Sequence, residues 1–284
     1  MKLSAVVVIR EGLEPTAPGA HFPNLRAESL ASELAWAREF GFEGLQVGWP
    51  GPPPLPVEQM AAVFEAEGVA VAALSAYTDL LSDRHGWMCA GLADVKGMIA
   101  LAPTLGTDVA VTWGGFGNAT DAEQRRTVYQ ALAEETAVAE ECGVRVAIEL
   151  YDQCVVGTVE QVAEAAATIG TRALGVMMDP PNTMTEADLE DLPAYYHRIM
   201  HVPGAPIFAA HAKDVLFADG VRGLPGPGEG RQDYVAYLRA LAAVGYDGFL
   251  SIEHITRDRA EAARDFVADK IAEALGQSRG LPTG

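Results

Sequence analysis

Four short apolar runs in the second half of the chain each place one metal-competent side chain near their end. Residues 144–151 (VRVAIELY) carry Glu149, 174–179 (LGVMMD) end in Asp179, 207–213 (IFAAHAK) carry His211 and 248–254 (GFLSIEH) carry Glu253. A carboxylate in apolar surroundings is costly to bury without a partner. Three carboxylates and one imidazole at matching positions form a hard, oxygen-rich donor set. That set suits one divalent ion, Mn²⁺, Mg²⁺ or Co²⁺, with Zn²⁺ admissible, and disfavours copper or an iron–sulfur cluster. Any one of these residues alone would as readily be a helix cap, a loop charge or a satisfied core histidine.

Strand parity gives the four positions a common direction. Side chains alternate between the two faces of a strand, so an inward Glu149 sends Ile148 outward. The same rule sends Met178, Ala210 and Ile252 outward beside Asp179, His211 and Glu253. All four neighbours are apolar, as an interface with helices requires. The inward positions one layer below are Ala147, Met177, Ala209 and Ser251, mostly small.

The elements that must hold these side chains alternate strictly. Strands are expected at 3–9, 44–49, 69–77, 108–113, 144–151, 174–179, 207–213 and 248–254. Helices are expected at 27–40, 57–67, 93–105, 121–142, 159–169, 186–200, 232–244 and 257–275. Helical spacing of Leu30, Leu34 and Ala37 and stop glycines such as Gly41, Gly68, Gly143 and Gly170 mark the pattern. Thr120 and Thr158 are the expected N-caps of the fourth and fifth helices. Eight strand–helix units without a linker predict an α/β fold, a single (β/α)₈ barrel spanning residues 1–284, with a frayed tail from about residue 276. A doubly wound open sheet is the competing architecture. It would carry a glycine-rich nucleotide turn after its first strand, where this chain reads REGLEPTAPGAH. In a barrel, the active site forms at the C-terminal ends of the strands, where the four polar residues lie.

Composition narrows the partners. The chain has 284 residues, 49% of them hydrophobic, with 20 Lys and Arg against 39 Asp and Glu, a net charge of −19. Such a surface repels nucleic-acid backbones and anionic lipid. Cys89, Cys142 and Cys154 have no metal-binding spacing and read as reduced thiols. The short apolar stretch near the N-terminus is a poor signal peptide and no run approaches the roughly 20 residues needed to span a bilayer, so a cytoplasmic protein is expected. The Ala-rich helices are compatible with a dimer or tetramer.

The motifs IELY, MMDPPN, HAKD and SIEH resemble the xylose-isomerase-like family of TIM barrels, which includes ketose 3-epimerases, hydroxypyruvate isomerases, inosose dehydratases and zinc AP endonucleases. The resemblance implies that Glu149, Asp179, His211 and Glu253 hold one divalent metal, and that Glu149 and Glu253 act as acid and base on opposite faces of a substrate carbon. The implied reaction is isomerisation or epimerisation of a small sugar or polyhydroxy carbonyl compound. Proton abstraction beside a carbonyl creates an enediolate, whose charge a divalent cation stabilises. An inosose-type dehydratase on the same metal, or a barrel that only binds a metal or sugar, are the alternatives. The epimerase pattern places a His three residues after the Asp, where this chain has Asn182. Endonucleases need further His ligands, and six histidines in all leave too few.

Several other residues have a place in this reading. Trp49, Tyr77 and Trp113 end the second to fourth strands and could wall a sugar pocket or pack in the core. Asn182 could bond a substrate hydroxyl. Lys213 could bind a carboxylate or phosphate or form a surface salt bridge. His254 is a supporting candidate at the rim, and His21 could reach the site from the first loop. The GLPGPGEG loop could cradle a phosphate through backbone N–H groups or simply cross over.

Overall fold

The computed structural model describes residues 1–11, 22–81 and 92–276. His21, Cys89 and the tail beyond residue 276 lie outside the described residues. The elements run β1 (Lys2–Arg10), α1 (Leu30–Glu39), β2 (Gly44–Gly48), α2 (Val57–Glu67), β3 (Ala70–Ser75), α3 (Leu92–Leu101), β4 (Val109–Thr112) and α4 (Ala122–Cys142). The second half continues with β5 (Arg145–Glu149), α5 (Val159–Ile169), β6 (Leu174–Met178), α6 (Leu192–Met200), β7 (Ile207–Ala212), α7 (Tyr234–Ala243), β8 (Phe249–Ile252) and α8 (Ala260–Leu275).

Every neighbouring pair of these strands is parallel, and β8 closes back onto β1 through Lys2↔Phe249 to Ala5↔Ile252. Eight parallel strands closed in this way, each followed by a helix, form a TIM barrel. Closure removes the sheet edges, and the crossover helices cover the outer face of the barrel.

On all four strands that carry Glu149, Asp179, His211 and Glu253, the side chains alternate as parity requires. Ile148, Met178, Ala210 and Ile252 lie in the large core between strands and helices. Ala147, Met177 and Ala209 lie in a second cluster with Val8, Ala73, Val109 and Val111, inside the barrel. Ser251 shares a buried hydrogen bond with Ser4 across the β8–β1 seam at 2.8 Å. A one-residue slip of any of these strands would turn its apolar outer layer into the barrel and set the polar side chain against the helices.

Several element ends differ from expectation. Asp121, not Thr120, caps α4, accepting from the backbone N–H of Glu123 and Gln124. Thr158 caps α5 as expected, in a reciprocal capping box with Gln161. The helix expected over 186–200 is broken into a 3₁₀ turn, Glu186–Glu190, and α6, because Asp191 leaves the helical region (φ −146°) and caps α6. The loop after β7 contains a small antiparallel hairpin, Leu216–Ala218 with Val221–Gly223. Asp219 and Gly220 both have positive φ, which the two-residue turns of tight hairpins require.

Candidate active site

The four ligand candidates converge. One donor atom from each of Glu149, Asp179, His211 and Glu253 can be chosen so that all lie within 4.8 Å of one another, and all four side chains are buried. His211 Nδ1 is 3.1 Å from Asp179 Oδ2, 3.4 Å from Glu253 Oε1 and 3.8 Å from Glu149 Oε1. Asp179 Oδ1 is buried without a hydrogen-bond partner among the described residues. An orphaned carboxylate oxygen is an unfavourable state that a metal bond would relieve. Three carboxylates, an imidazole and an unused buried oxygen therefore fit a divalent ion.

Backbone clamps fix the strand ends that carry them. The Tyr237 hydroxyl, on α7, contacts the carbonyls of Met178 (3.2 Å) and His211 (3.0 Å). One turn earlier on the same helix, the Tyr234 hydroxyl donates to the carbonyl of Lys213 at 2.8 Å. Gln46, on β2, sets the imidazole. Its amide nitrogen donates to Ser75 Oγ (3.1 Å) and Tyr77 Oη (3.3 Å), turning its oxygen toward His211 Nε2 at 3.2 Å. An N–H at Nε2 leaves Nδ1, on the carboxylate side, as the atom able to bind a metal.

The two glutamates are driven in opposite directions. Burial, then the nearby charge of Glu253, pushes Glu149 up to about 7 against the pull of His211 and Lys213. Burial also raises Glu253, but His211, Lys213 and His254 outweigh it and hold that carboxyl well below the usual range. Trp113 Nε1 donates to Glu149 Oε2 at 3.1 Å, and Asn182 Nδ2 donates to Glu149 Oε1 (3.0 Å) and Asp179 Oδ2 (2.8 Å). Lys213 is 2% exposed. Its ammonium pairs with Asp179 Oδ2 at 2.7 Å and with Glu253 Oε1, which excludes the surface salt bridge.

Above this floor lies a cavity of about 240 Å³. Tyr77 stacks on Trp113 (ring centroids 4.6 Å apart), Trp113 meets Phe116 edge-on, and Phe116 meets Tyr151. Phe22, Leu224 and His254 complete the lining, with Asn182 and Lys213. Trp49 is not part of it. It is 1% exposed and packs in the core between strands and helices. His254 has a left-handed backbone (φ 56°), and its Nδ1 lies 2.5 Å from the Leu224 carbonyl, so it bends into the rim. At the GLPGPGEG loop, the Asp214 carboxylate engages one backbone N–H of the loop itself, that of Gly228, and one on either side of it, those of Val215 and Gln232.

Residues 34–275 match the family model described as the xylose isomerase-like TIM barrel. The chain belongs to that family. Among curated proteins, it is 27% identical over 172 residues to an inosose isomerase of Bacillus subtilis (strain 168), a match covering 57% of this chain and 59% of that protein. Among solved structures, an L-ribulose 3-epimerase superposes with a TM-score of 0.68 at 20% identity, covering 90% of this chain and 95% of that one. A xylose isomerase-like TIM barrel protein from Mycobacterium smegmatis, in complex with magnesium, gives 0.66 at 20% identity, covering 88% and 90%. At these identities the structures establish the shared barrel.

Within this xylose isomerase-like barrel, sequence reasoning missed Gln46, Tyr151, Phe116, Phe22 and Leu224. Two of them were legible by parity. Leu45 and Val47 are outward residues of β2, so Gln46 must face in and Trp49 out. Tyr151 follows the inward pair Ala147 and Glu149. Phe116, Phe22 and Leu224 sit outside the barrel strands, where no periodicity reports direction.

Proposed function

We propose that the chain is a divalent-metal-dependent isomerase or epimerase of a small sugar or polyhydroxy carbonyl compound. The observation that carries this reading is the convergence of Glu149, Asp179, His211 and Glu253 on one point at the floor of an aromatic-walled cavity. Those four side chains would hold the ion. When bound, a divalent cation supplies positive charge that stabilises a developing enediolate. Complexes and reactions carried by relatives, a magnesium-bound barrel and a ketose 3-epimerase, are consistent with the same chemistry.

The protein's own groups then have distinct tasks. Glu253, held ionised, accepts the proton from the carbon beside the carbonyl. Glu149 returns one from the other side. Trp113 and Asn182 orient Glu149 through its two oxygens. The rings of Tyr77, Trp113 and Phe116 pack on the carbon skeleton of the substrate and exclude water from the reacting carbon. A volume of about 240 Å³ suits a compact molecule.

The test is a product assay on a panel of unphosphorylated ketoses and inososes, with protein stripped by chelator and reloaded with Mn²⁺, Mg²⁺ or Co²⁺. The expected result is an isomer or epimer of equal mass, lost on stripping and restored by reloading. A product lighter by one water would reassign the chain as a dehydratase. Turnover indifferent to stripping would refute the metal.

A further inference from the structure

Lys213 stands where few lysines do. Its Nζ reaches Asp179 Oδ2 at 2.7 Å, pairs with Glu253 Oε1 and lies 3.9 Å from Glu149 Oε1. These are the same three oxygen atoms that surround His211 Nδ1. The ammonium therefore engages the oxygens that a divalent ion would need. Its backbone is pinned by the hydroxyl of Tyr234, while its side chain also lines the cavity.

We propose that Lys213 is the resident cation of the metal-free site, and that a divalent ion enters by displacing this ammonium from Asp179 and Glu253 into the cavity. The inference rests on reading the four side chains as a metal site, and not on which reaction they serve. Three buried carboxylates repel one another strongly, and removing Lys213 takes away the one lysine paired with them. With a dication bound, the three carboxylates are balanced by the ion and the ammonium together. Displacement leaves the ammonium facing the cavity, beside any substrate oxygen that gains negative charge. Lys213 is thus both a competitor for the metal and a charge delivered to the substrate pocket when the metal arrives.

The experiment compares Mn²⁺ binding to the metal-stripped full chain and to Lys213→Met, by calorimetry and by competition with a chromophoric chelator. If the ammonium competes, the variant binds Mn²⁺ about tenfold more tightly or better, its metal-free melting temperature falls, and its rise in melting temperature on adding Mn²⁺ exceeds that of the parent. Equal or weaker Mn²⁺ binding by the variant would overturn the inference while leaving the metal site standing. Absence of Mn²⁺ binding by the parent chain would overturn both. A second measurement needs no variant: amine-directed acetylation of the parent chain, read by mass spectrometry. Lys213 acetylation should rise on adding Mn²⁺ relative to the half-buried Lys96 and Lys270. Equal protection with and without Mn²⁺ would also overturn it.

Discussion

His211 shows how much of the proposed metal site is set by a residue outside the four candidates. Its Nε2 faces the Gln46 oxygen, and Gln46 is held in turn by Ser75 and Tyr77. Replacing Gln46 with Leu keeps bulk but removes the acceptor, so the imidazole loses the bond that reserves Nδ1 for the ligand side. Metal affinity should fall by about 10- to 100-fold with the barrel intact. Chelator competition against a circular-dichroism control measures it, and unchanged affinity would remove Gln46 from the account. The same residue marks a limit of sequence reading. Parity located Glu149, Asp179, His211 and Glu253, yet Trp49 drew attention as an aromatic at a strand end. The alternation in GLQVGW places Trp49 outside and Gln46 inside.

At the scale of elements, α4 carries a buried acid with no evident catalytic task. Glu135 is fully buried, neither oxygen has a hydrogen-bond partner among the described residues, and burial pushes its carboxyl up to about 8 despite Lys96. The folded chain keeps this proton up to about pH 8, whereas the unfolded chain releases it near the ordinary carboxyl value of about 4.5. Between those values the unfolded state binds fewer protons, so stability falls as pH rises, by about 1.4 kcal/mol per unit. Glu135→Gln should therefore match the parent below pH ~4.5 and become steadily more stable than it up to pH ~8, by at most about 4–5 kcal/mol. Denaturant unfolding at several pH values reads this; a pH-independent difference would contradict it. Element types were legible because strand runs, helical spacing and stop glycines agree along the chain. The exceptions are local. The Asp219–Gly220 turn specified a hairpin inside what reads as a loop, and Asp191 interrupts a helix whose apolar spacing continues across it.

At the scale of the whole molecule, barrel closure does what no local motif can. It brings Gln46 from β2 onto the imidazole of His211, 165 residues later, and Tyr77 and Trp113 from beyond the ends of β3 and β4 to the carboxylates. The hairpin after β7 is tied over this mouth by Arg222, which pairs through both terminal nitrogens with Asp152 (2.7 and 2.8 Å) and donates to the Met184 carbonyl. The clustering of Glu149, Asp179, His211 and Glu253 was readable in the sequence because every strand end points the same way in a parallel barrel. The latch and the upper wall were not, because loop residues carry no periodic signal. The central claim is that Glu149 and Glu253 move a proton on and off one substrate carbon. Its most direct measurement is deuterium incorporation from D₂O into a turned-over ketose by the metal-loaded protein and by Glu149→Gln and Glu253→Gln. Incorporation beside the carbonyl is expected in the parent and is lost in both variants; normal exchange in both variants would contradict this proton transfer.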